Sequence, residues 1–264
     1  MPYQILSPSA PYSHYAGKHA LAIMAKAPRA GKVKTRLSPP LTLAQTAALN
    51  VCFLKDTSEN IAGVGRNSVG LICYTPVGDE AAFDGLVHEH FALIPQRGDT
   101  FGERLLAAAE DILACGFASV SLIDSDSPTV PHAAFLQAVE ELSKPGDRIV
   151  LGPSDDGGYY LIGLKRPHPE PFDRISWSTG AVIEETRQRC REASLGLVDL
   201  PLWYDVDDAA TLATLNAELL QSTPPAFTTT PGYPAPHSRE FLLELDIPAD
   251  LVAQPSGEQG STTA

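Results

Sequence analysis

The sequence predicts an α/β protein with a mostly parallel sheet and helices on both faces. Two observations support this fold class. Short apolar, β-branched runs alternate along the chain with longer segments of helical character, which is the pattern of parallel strands joined by crossover helices. The composition is also ordinary for a globular protein, with 44% hydrophobic and 19% charged residues in 264, and a chain of this length can bury a sizeable core.

The order of elements follows from these runs. Strands are predicted over 19–25, 69–74, 91–94, 119–123, 148–151, 159–164 and 197–200. The first helix is predicted over 43–63 with Thr42 as its N-cap, since Thr accepts a hydrogen bond from a free backbone amide of the first turn. Further helices are predicted to end near Gly116, to cover 131–143, and to end near Ala193 and near Leu220.

One domain over 19–221 is expected, with extensions at both ends. Residues 1–18 are rich in Pro, Ser and Tyr without periodicity, and we expect them to lie outside the fold. Residues 222–264 form a Pro- and Thr-rich tail with one amphipathic piece at 241–245, which is expected to be partly packed against the domain. No internal repeat is found.

Composition excludes several classes of function. A formal net charge of -13 argues against nucleic-acid binding, which needs a basic face for phosphates. The four cysteines lie far apart without Cys-x-x-Cys spacing, so neither a zinc site nor a disulfide framework is indicated. No segment reaches the ~20 apolar residues of a membrane span, and no secretory signal is recognised. A cytoplasmic location is expected.

The stretch 119–128 carries the first candidate site. Its apolar run stops at Asp124 and Asp126, and Pro128 ends the strand. Carboxylates at the carboxyl end of a buried strand lie where open α/β sheets bind ligands, and two of them suit a hard divalent cation such as Mg²⁺ or Mn²⁺. The alternative is a polar turn, with Asp126 capping the helix that follows Pro131.

A second candidate is the cation loop, residues 26–36, which follows the first predicted strand. It holds five cations and no acid, and Gly31 permits close backbone approach to a ligand. Converging Arg and Lys side chains are typical of sites for di- or triphosphates. The loop has neither Walker A nor GxGxxG spacing, and the alternative is a solvated basic loop. Its cations are Lys26, Arg29, Lys32, Lys34 and Arg36.

Two further segments admit either a structural or a functional reading. Gly157 and Gly158 follow Asp155 and Asp156, and paired glycines between apolar runs indicate a hairpin turn or a close approach to a ligand. In the segment 205–208, Asp207 or Asp208 can cap the last helix, or a carboxylate there can complete a metal site with Asp126. The residues alone do not choose between the alternatives for either segment.

Together these segments resemble a family of bacterial GT-A-like transferases, which includes glycosyltransferases associated with radical-SAM proteins and arsenosugar clusters. The resemblance covers about residues 20–220 and rests on six motifs in matching order. They are MAKAPRAGKVKTRL at 24–37, GDTFGERL at 98–105, DSDSP at 124–128, GPSDDGGYYLIG at 152–163, WST at 177–179 and DVD at 205–207.

The resemblance implies a nucleotide-diphospho-sugar transferase fold, a GT-A-like α/β/α sandwich. It also implies that Asp126 and Asp207 bind the divalent cation, and that Lys34 and Arg36 face the diphosphate. In the family Gly usually stands at the position of Asp124, so the resemblance assigns that residue no ligand role. The remaining implied binding residues are Lys26 and Gly31 of the cation loop, Gly98, Glu103 and Arg104 near the base or ribose, and Gly157 and Gly158 beside the sugar or acceptor.

The sequence thus favours a metal-dependent glycosyltransferase that moves a sugar from a UDP- or GDP-linked donor to a small-molecule acceptor. Lys34 would stabilise the leaving diphosphate, and Asp156 would accept the proton of the acceptor. The KxRLxPxL pattern at 34–41 is also similar to 2-phospho-L-lactate guanylyltransferase, so a nucleotidyltransferase is the alternative. A non-catalytic nucleotide-sugar binder is a third interpretation.

Overall fold

The computed structural model describes residues 3–9, 11–65 and 67–245. Its strands and helices alternate along the chain as the sequence predicts. The strands are β1 Gln4–Ile5, β2 His19–Lys26, β3 Ser68–Thr75, β4 Ala92–Pro95, β5 Ser119–Ile123, β6 Ile149–Pro153, β7 Tyr159–Leu164 and β8 Leu197–Asp199. The helices are α1 Leu43–Ala62, α2 Phe101–Ala114, α3 His132–Ser143, α4 Val182–Glu192, α5 Ala209–Gln221 and α6 Pro236–Leu245.

Within the described residues the strands form one sheet in the order β1-β4-β3-β2-β5-β7-β6-β8. Every pairing is parallel except those of β7, which runs antiparallel to β5 and β6. The prediction of a mostly parallel sheet is confirmed. The exception has a local cause, because only five residues join β6 to β7, and a connection this short makes a hairpin rather than a crossover.

Helices cover both faces of the sheet, as predicted. Alternate residues of β2 point to opposite faces, so that Leu21 and Ile23 enter the core under α1, α3, α5 and α6. Ala20 and Ala22 enter the second core, which α2 and α4 cover. The near-continuous apolar character of the central strands follows from this burial on two sides.

Helix starts are fixed by side-chain caps. Thr42 caps α1 as predicted, in a reciprocal capping box with Gln45. Asp208 caps α5, since its Oδ1 accepts hydrogen bonds from the backbone amides of Ala210 and Thr211 at 3.0 Å. The pairing of Asp208 with the helix leaves the neighbouring carboxylate of Asp207 available for other contacts.

The N-terminal segment differs from the expectation that it lies outside the fold. β1 pairs in parallel with β4 at the sheet edge, and Leu6 is buried. Tyr15 stacks on Phe117 with ring centroids 4.3 Å apart. A two-residue strand is too short to show an alternating pattern, so the segment's anchoring depends on single apolar residues that periodicity cannot detect.

The C-terminal segment packs against the domain through α6, which lies on α1 and α5. The buried carboxylate of Asp56 in α1 accepts hydrogen bonds from the backbone amides of His237 and Ser238, at 2.9 and 2.8 Å. The predicted partial packing of residues 222–245 agrees with this, and the rest of the predicted tail, 246–264, falls outside the described residues. Among the helices that the structure describes, none is long and apolar enough to cross a membrane.

Candidate active site

The carboxyl ends of the parallel strands form one edge of the sheet, and the candidate residues meet there. The cation loop leaves β2, the 124–128 turn leaves β5, and the hairpin of residues 154–158 opens at the same edge because β7 is antiparallel. The segment 205–208 is drawn in by a backbone hydrogen bond of 3.0 Å from Val206 N to Asp126 O. This edge is the usual ligand site of open α/β sheets.

Lys34 lies at the centre of this edge, between the two predicted metal ligands. Its Nζ is 2.9 Å from Asp126 Oδ1, 2.8 Å from Asp207 Oδ1 and 2.7 Å from the Val206 carbonyl oxygen. An ammonium has three protons, so these three acceptors use its whole donor capacity. The side chain is only 4% exposed. The structure therefore turns Lys34 towards the carboxylates and not towards open space where a phosphate would lie.

The charges of this cluster stabilise one another. Burial lowers the pKa of Lys34, but Asp126 and Asp207 outweigh it and leave that pKa above its ordinary value. Burial raises the pKa of Asp207, and Lys34 outweighs it, so the pKa of Asp207 lies below its ordinary value. Both groups are held in their charged forms.

Two cavities adjoin the cluster. The carboxylate cavity has a volume of about 480 Å³, and we name it for the five aspartates that line it. They are Asp124, Asp126, Asp156, Asp205 and Asp207. The cation cavity has a volume of about 260 Å³ and lies under the cation loop. Its charged lining residues are Lys26, Lys32, Lys34, Arg36, Asp126 and Asp207. Arg36, Asp126 and Asp207 belong to both cavities.

Crowding of carboxylates perturbs the carboxylate cavity. Burial, followed by repulsion from Asp156 and Asp207, raises the pKa of Asp205 to about 7. Burial and the charge of Asp126 raise the pKa of Asp124 well above its ordinary value. Ser127 Oγ donates to Asp124 Oδ2 at 2.7 Å, so Asp124 is tied to its own turn. Asp205 lies in the motif at 205–207, but nothing in the sequence distinguishes it from a residue that only starts a helix.

Aromatic side chains form an aromatic wall in the lining of the carboxylate cavity. The ring of Trp177 stands edge-on to Phe101 and to Tyr159, with centroids 5.1 and 6.4 Å apart. A Cβ at Gly102 would lie 2.8 Å from Trp177 Nε1, so this glycine makes room for the indole. The three residues of this wall come from three of the six motifs, those at 98–105, 152–163 and 177–179.

Gly98, Glu103 and Arg104 do not line either cavity, contrary to the expectation that they border the base or ribose. Glu103 Oε2 accepts hydrogen bonds from the backbone amides of Asp99 and Thr100, at 2.9 and 3.1 Å. Arg104 Nη1 donates to the Asp99 carbonyl oxygen at 2.9 Å. Thr100 and Glu103 form the capping box of α2, and the T-x-x-E spacing of a capping box is visible in the sequence.

The two glycines of the 154–158 hairpin have different roles. Gly157 has a positive φ of 89°, and a Cβ there would overlap the Gly180 carbonyl, so its close approach is to the chain itself rather than to a ligand. Gly158 lines the carboxylate cavity and donates its backbone amide to Asp156 Oδ1 at 2.8 Å. Asp156 is exposed at the mouth of that cavity.

The residues of the cation loop also divide into those that line a cavity and those that do not. Lys26, Lys32, Lys34 and Arg36 line the cation cavity, whereas Arg29 pairs with Asp79 at 2.5 Å and Gly31 lines neither cavity. Gly31 has a φ of 72°, so a turn rather than a ligand contact requires it.

The side chains of the protein supply only part of the ligand set that a divalent cation needs. No group of three or more His, Cys, Asp or Glu side chains converges on one point within residues 3–9, 11–65 and 67–245. Asp126 and Asp207 do converge, and the ammonium between them marks a position that favours positive charge. Mg²⁺ is usually held by one or two carboxylates, with water and substrate phosphates completing its shell. The two aspartates fit this role if the Lys34 ammonium leaves them.

Comparisons with known proteins agree with this architecture. Residues 64–179 match the sequence model of a family described as "Uncharacterized protein conserved in bacteria (DUF2064)". A crystal structure from Desulfovibrio desulfuricans G20, named a "putative nucleotide-diphospho-sugar transferase", is 28% identical with a TM-score of 0.74. The alignment covers 89% of this chain and 96% of that one. The chain has the nucleotide-diphospho-sugar transferase fold. The resemblance to GT-A-like transferases is confirmed at the level of the fold.

A more distant structure has the same fold. CMP:2-keto-3-deoxy-manno-octonic acid synthetase, solved with CTP, is 12% identical with a TM-score of 0.51, over 78% of this chain and 100% of that one. No curated protein matches the chain in sequence.

Proposed function

We propose that the protein is a metal-dependent glycosyltransferase that moves a sugar from a nucleotide-diphospho-sugar to a small-molecule acceptor. One observation carries the proposal: the cation cavity and the carboxylate cavity adjoin, and Arg36, Asp126 and Asp207 belong to both. A nucleotide sugar needs this combination, because its diphosphate requires positive charge while its sugar requires hydrogen-bond acceptors.

The diphosphate is assigned to the cation cavity. Arg36 is 74% exposed, and its contact of 3.8 Å to Asp207 is loose, so its guanidinium is free to pair with phosphate oxygens. Lys26 and Lys32 add two further cations to the same cavity. Asp126 and Asp207 would hold a divalent cation, which would neutralise charge that develops on the leaving diphosphate.

The sugar and the acceptor are assigned to the carboxylate cavity. Trp177 and Phe101 offer an apolar wall for the C–H face of a sugar ring. The aspartates of the same cavity accept hydrogen bonds from the hydroxyls of the sugar. Asp156 is the proposed general base. The Gly158 amide holds its Oδ1, which orients the carboxylate and leaves Oδ2 to accept the acceptor's proton.

Nucleotidyl transfer is the second candidate. The same cation cavity can hold the pyrophosphate of a nucleoside triphosphate, and the distant structure with this fold was solved with CTP. In that reaction a phosphorylated small molecule would occupy the carboxylate cavity, where the ionised aspartates of the lining repel an anion. This repulsion favours a neutral sugar over a phosphorylated substrate.

Two measurements separate the candidates. Isothermal titration with UDP- and GDP-sugars, with and without Mg²⁺ or Mn²⁺, should show metal-dependent binding of at least one donor. A pyrophosphate-release screen with the four nucleoside triphosphates and a panel of phosphorylated small molecules should show no turnover. Release of pyrophosphate would replace the first candidate by the second, and absence of any nucleotide binding would remove both.

A further inference from the structure

Lys34 is a resident cation of the site. Burial, three acceptors at 2.7–2.9 Å and two charged partners fix its ammonium between Asp126 and Asp207. The backbone at Lys34 is left-handed, with φ 49° and ψ 36°, a conformation that residues with a side chain adopt rarely and that the surroundings here must enforce.

A divalent cation and this ammonium compete for the same oxygens. Asp126 Oδ1 and Asp207 Oδ1 are the atoms that Lys34 contacts, and they are also the nearest candidate metal ligands. A metal ion bound to these two oxygens would lie next to the ammonium, and two neighbouring cations repel strongly in a partly buried site. Both cannot occupy the position between the aspartates.

The cation cavity contains a second place for the ammonium. Asn50 of α1 lines this cavity together with Lys34 and is 3% exposed. Its Oδ1 has no hydrogen-bond partner among the described residues, although a buried polar atom without a partner is destabilising. Phe53 lies one turn further along α1, and its ring centroid is 5.8 Å from Lys34 Nζ, which places this face of α1 beside the lysine.

We propose that a divalent cation binds Asp126 and Asp207 by displacing the Lys34 ammonium into the cation cavity, where Asn50 Oδ1 and a ligand phosphate accept its hydrogen bonds. The inference rests on the proposed metal dependence and adds a coupling between metal binding and nucleotide binding. Without nucleotide, the metal must displace a well-bound cation and binds weakly. With nucleotide, the phosphates stabilise both displaced lysine and metal, so the two ligands bind cooperatively.

The test is calorimetric titration of Mn²⁺ into the full chain, alone and with saturating UDP. For wild type, UDP should tighten Mn²⁺ binding about tenfold or more. Lys34→Met should bind Mn²⁺ alone about tenfold more tightly than wild type, since the competing charge is gone. The matched control is Lys32→Met, which removes the same charge from the same cavity but has no contact with the two aspartates within hydrogen-bond distance. Its affinity for Mn²⁺ alone should stay close to that of wild type.

A second variant covers the case in which Lys34→Met does not fold. Asn50→Leu keeps the number and branching of the side-chain heavy atoms and removes the acceptor, so the tightening of Mn²⁺ by UDP should fall about three- to tenfold. Unchanged coupling in Asn50→Leu, or a Lys34→Met variant that binds Mn²⁺ no more tightly than Lys32→Met, overturns the displacement. If wild type binds no Mn²⁺ with any nucleotide or nucleotide sugar, the proposed metal dependence fails instead, whatever the variants do.

Discussion

Two loops of this molecule look alike in sequence and differ in what their charges contact. The cation loop, 26–36, and loop 98–104, whose last four residues form the first turn of α2, both follow a parallel strand, and both contain glycine and charged residues. In the first, Lys34 reaches across to carboxylates of two other segments. In the second, Glu103 and Arg104 bond to the backbone of their own loop. A charge beside a helix start has backbone amides to satisfy, and these amides compete with any ligand for it.

The largest expected effect tests the cation loop's partner. Asp126→Asn should lower transferase activity about 100-fold or more, because it removes a carboxylate that both Lys34 and the proposed metal require. Activity is measured with the donor found by titration, at saturating Mn²⁺. The matched control is Asp99→Asn in loop 98–104, whose side chain contacts neither cavity. Equal losses in both variants would remove the distinction between the loops.

The next effect is on stability. Lys34→Met should lower the free energy of unfolding by about 1–3 kcal/mol without metal, since it leaves two partly buried carboxylates without their counter-charge. The figure lies below that of a fully buried pair because the side chains of Asp126 and Asp207 remain 32% and 38% exposed. Urea denaturation at neutral pH measures it. Saturating Mn²⁺ should recover part of the loss, and a loss that Mn²⁺ leaves untouched would contradict a shared binding position.

The sequence predicts the fold better than the site. Hydrophobic runs such as β5 and β7 are bounded by Asp, Gly and Pro, so their positions and the parallel sheet follow from local signals. The residues alone leave a metal site shared by Asp126 and a carboxylate of 205–208 as one of two alternatives, and only the resemblance selects Asp207, since spacing along the chain does not report distance in space. The orientation of the Lys34 side chain could not be predicted, because the sequence is the same whether the lysine contacts a phosphate or the carboxylates.

Other segments that were expected to bind a ligand carry a sequence signal for a structural role. Thr100 and Glu103 have capping-box spacing, which accounts for the loop 98–104 without a ligand. The packing of Gly157 on Gly180 joins segments that are distant in sequence, so only the fold reveals it. Leu6 and Tyr15 show the same limit at the N-terminus, where isolated apolar residues anchor a segment without any period.

A smaller effect sharpens the assignment of loop 98–104. Thr100→Ala should lower the free energy of unfolding by about 1 kcal/mol, because the amide of Glu103 loses the hydroxyl that caps α2. Donor affinity should not change. Chemical denaturation and titration of the nucleotide sugar measure the two quantities. A loss of donor affinity without a loss of stability would return this loop to the binding site.

The smallest effect separates the two loops most directly. Glu103→Gln removes the charge but keeps an oxygen that can accept from the amides of Asp99 and Thr100, and Gln is itself a common third residue of a capping box. We expect little change in stability and a change of less than about threefold in donor affinity. Lys26→Gln is the matched variant in the cation loop, where no backbone group depends on the side chain and the cavity loses a charge. Its affinity for a nucleotide sugar should fall about three- to tenfold, and the loss should shrink as salt is raised, because an exposed cation acts on phosphate through a screened charge. If Glu103→Gln weakened donor binding as much as Lys26→Gln, the glutamate would contact the ligand after all, and its hydrogen bonds to the backbone would describe only the state without nucleotide.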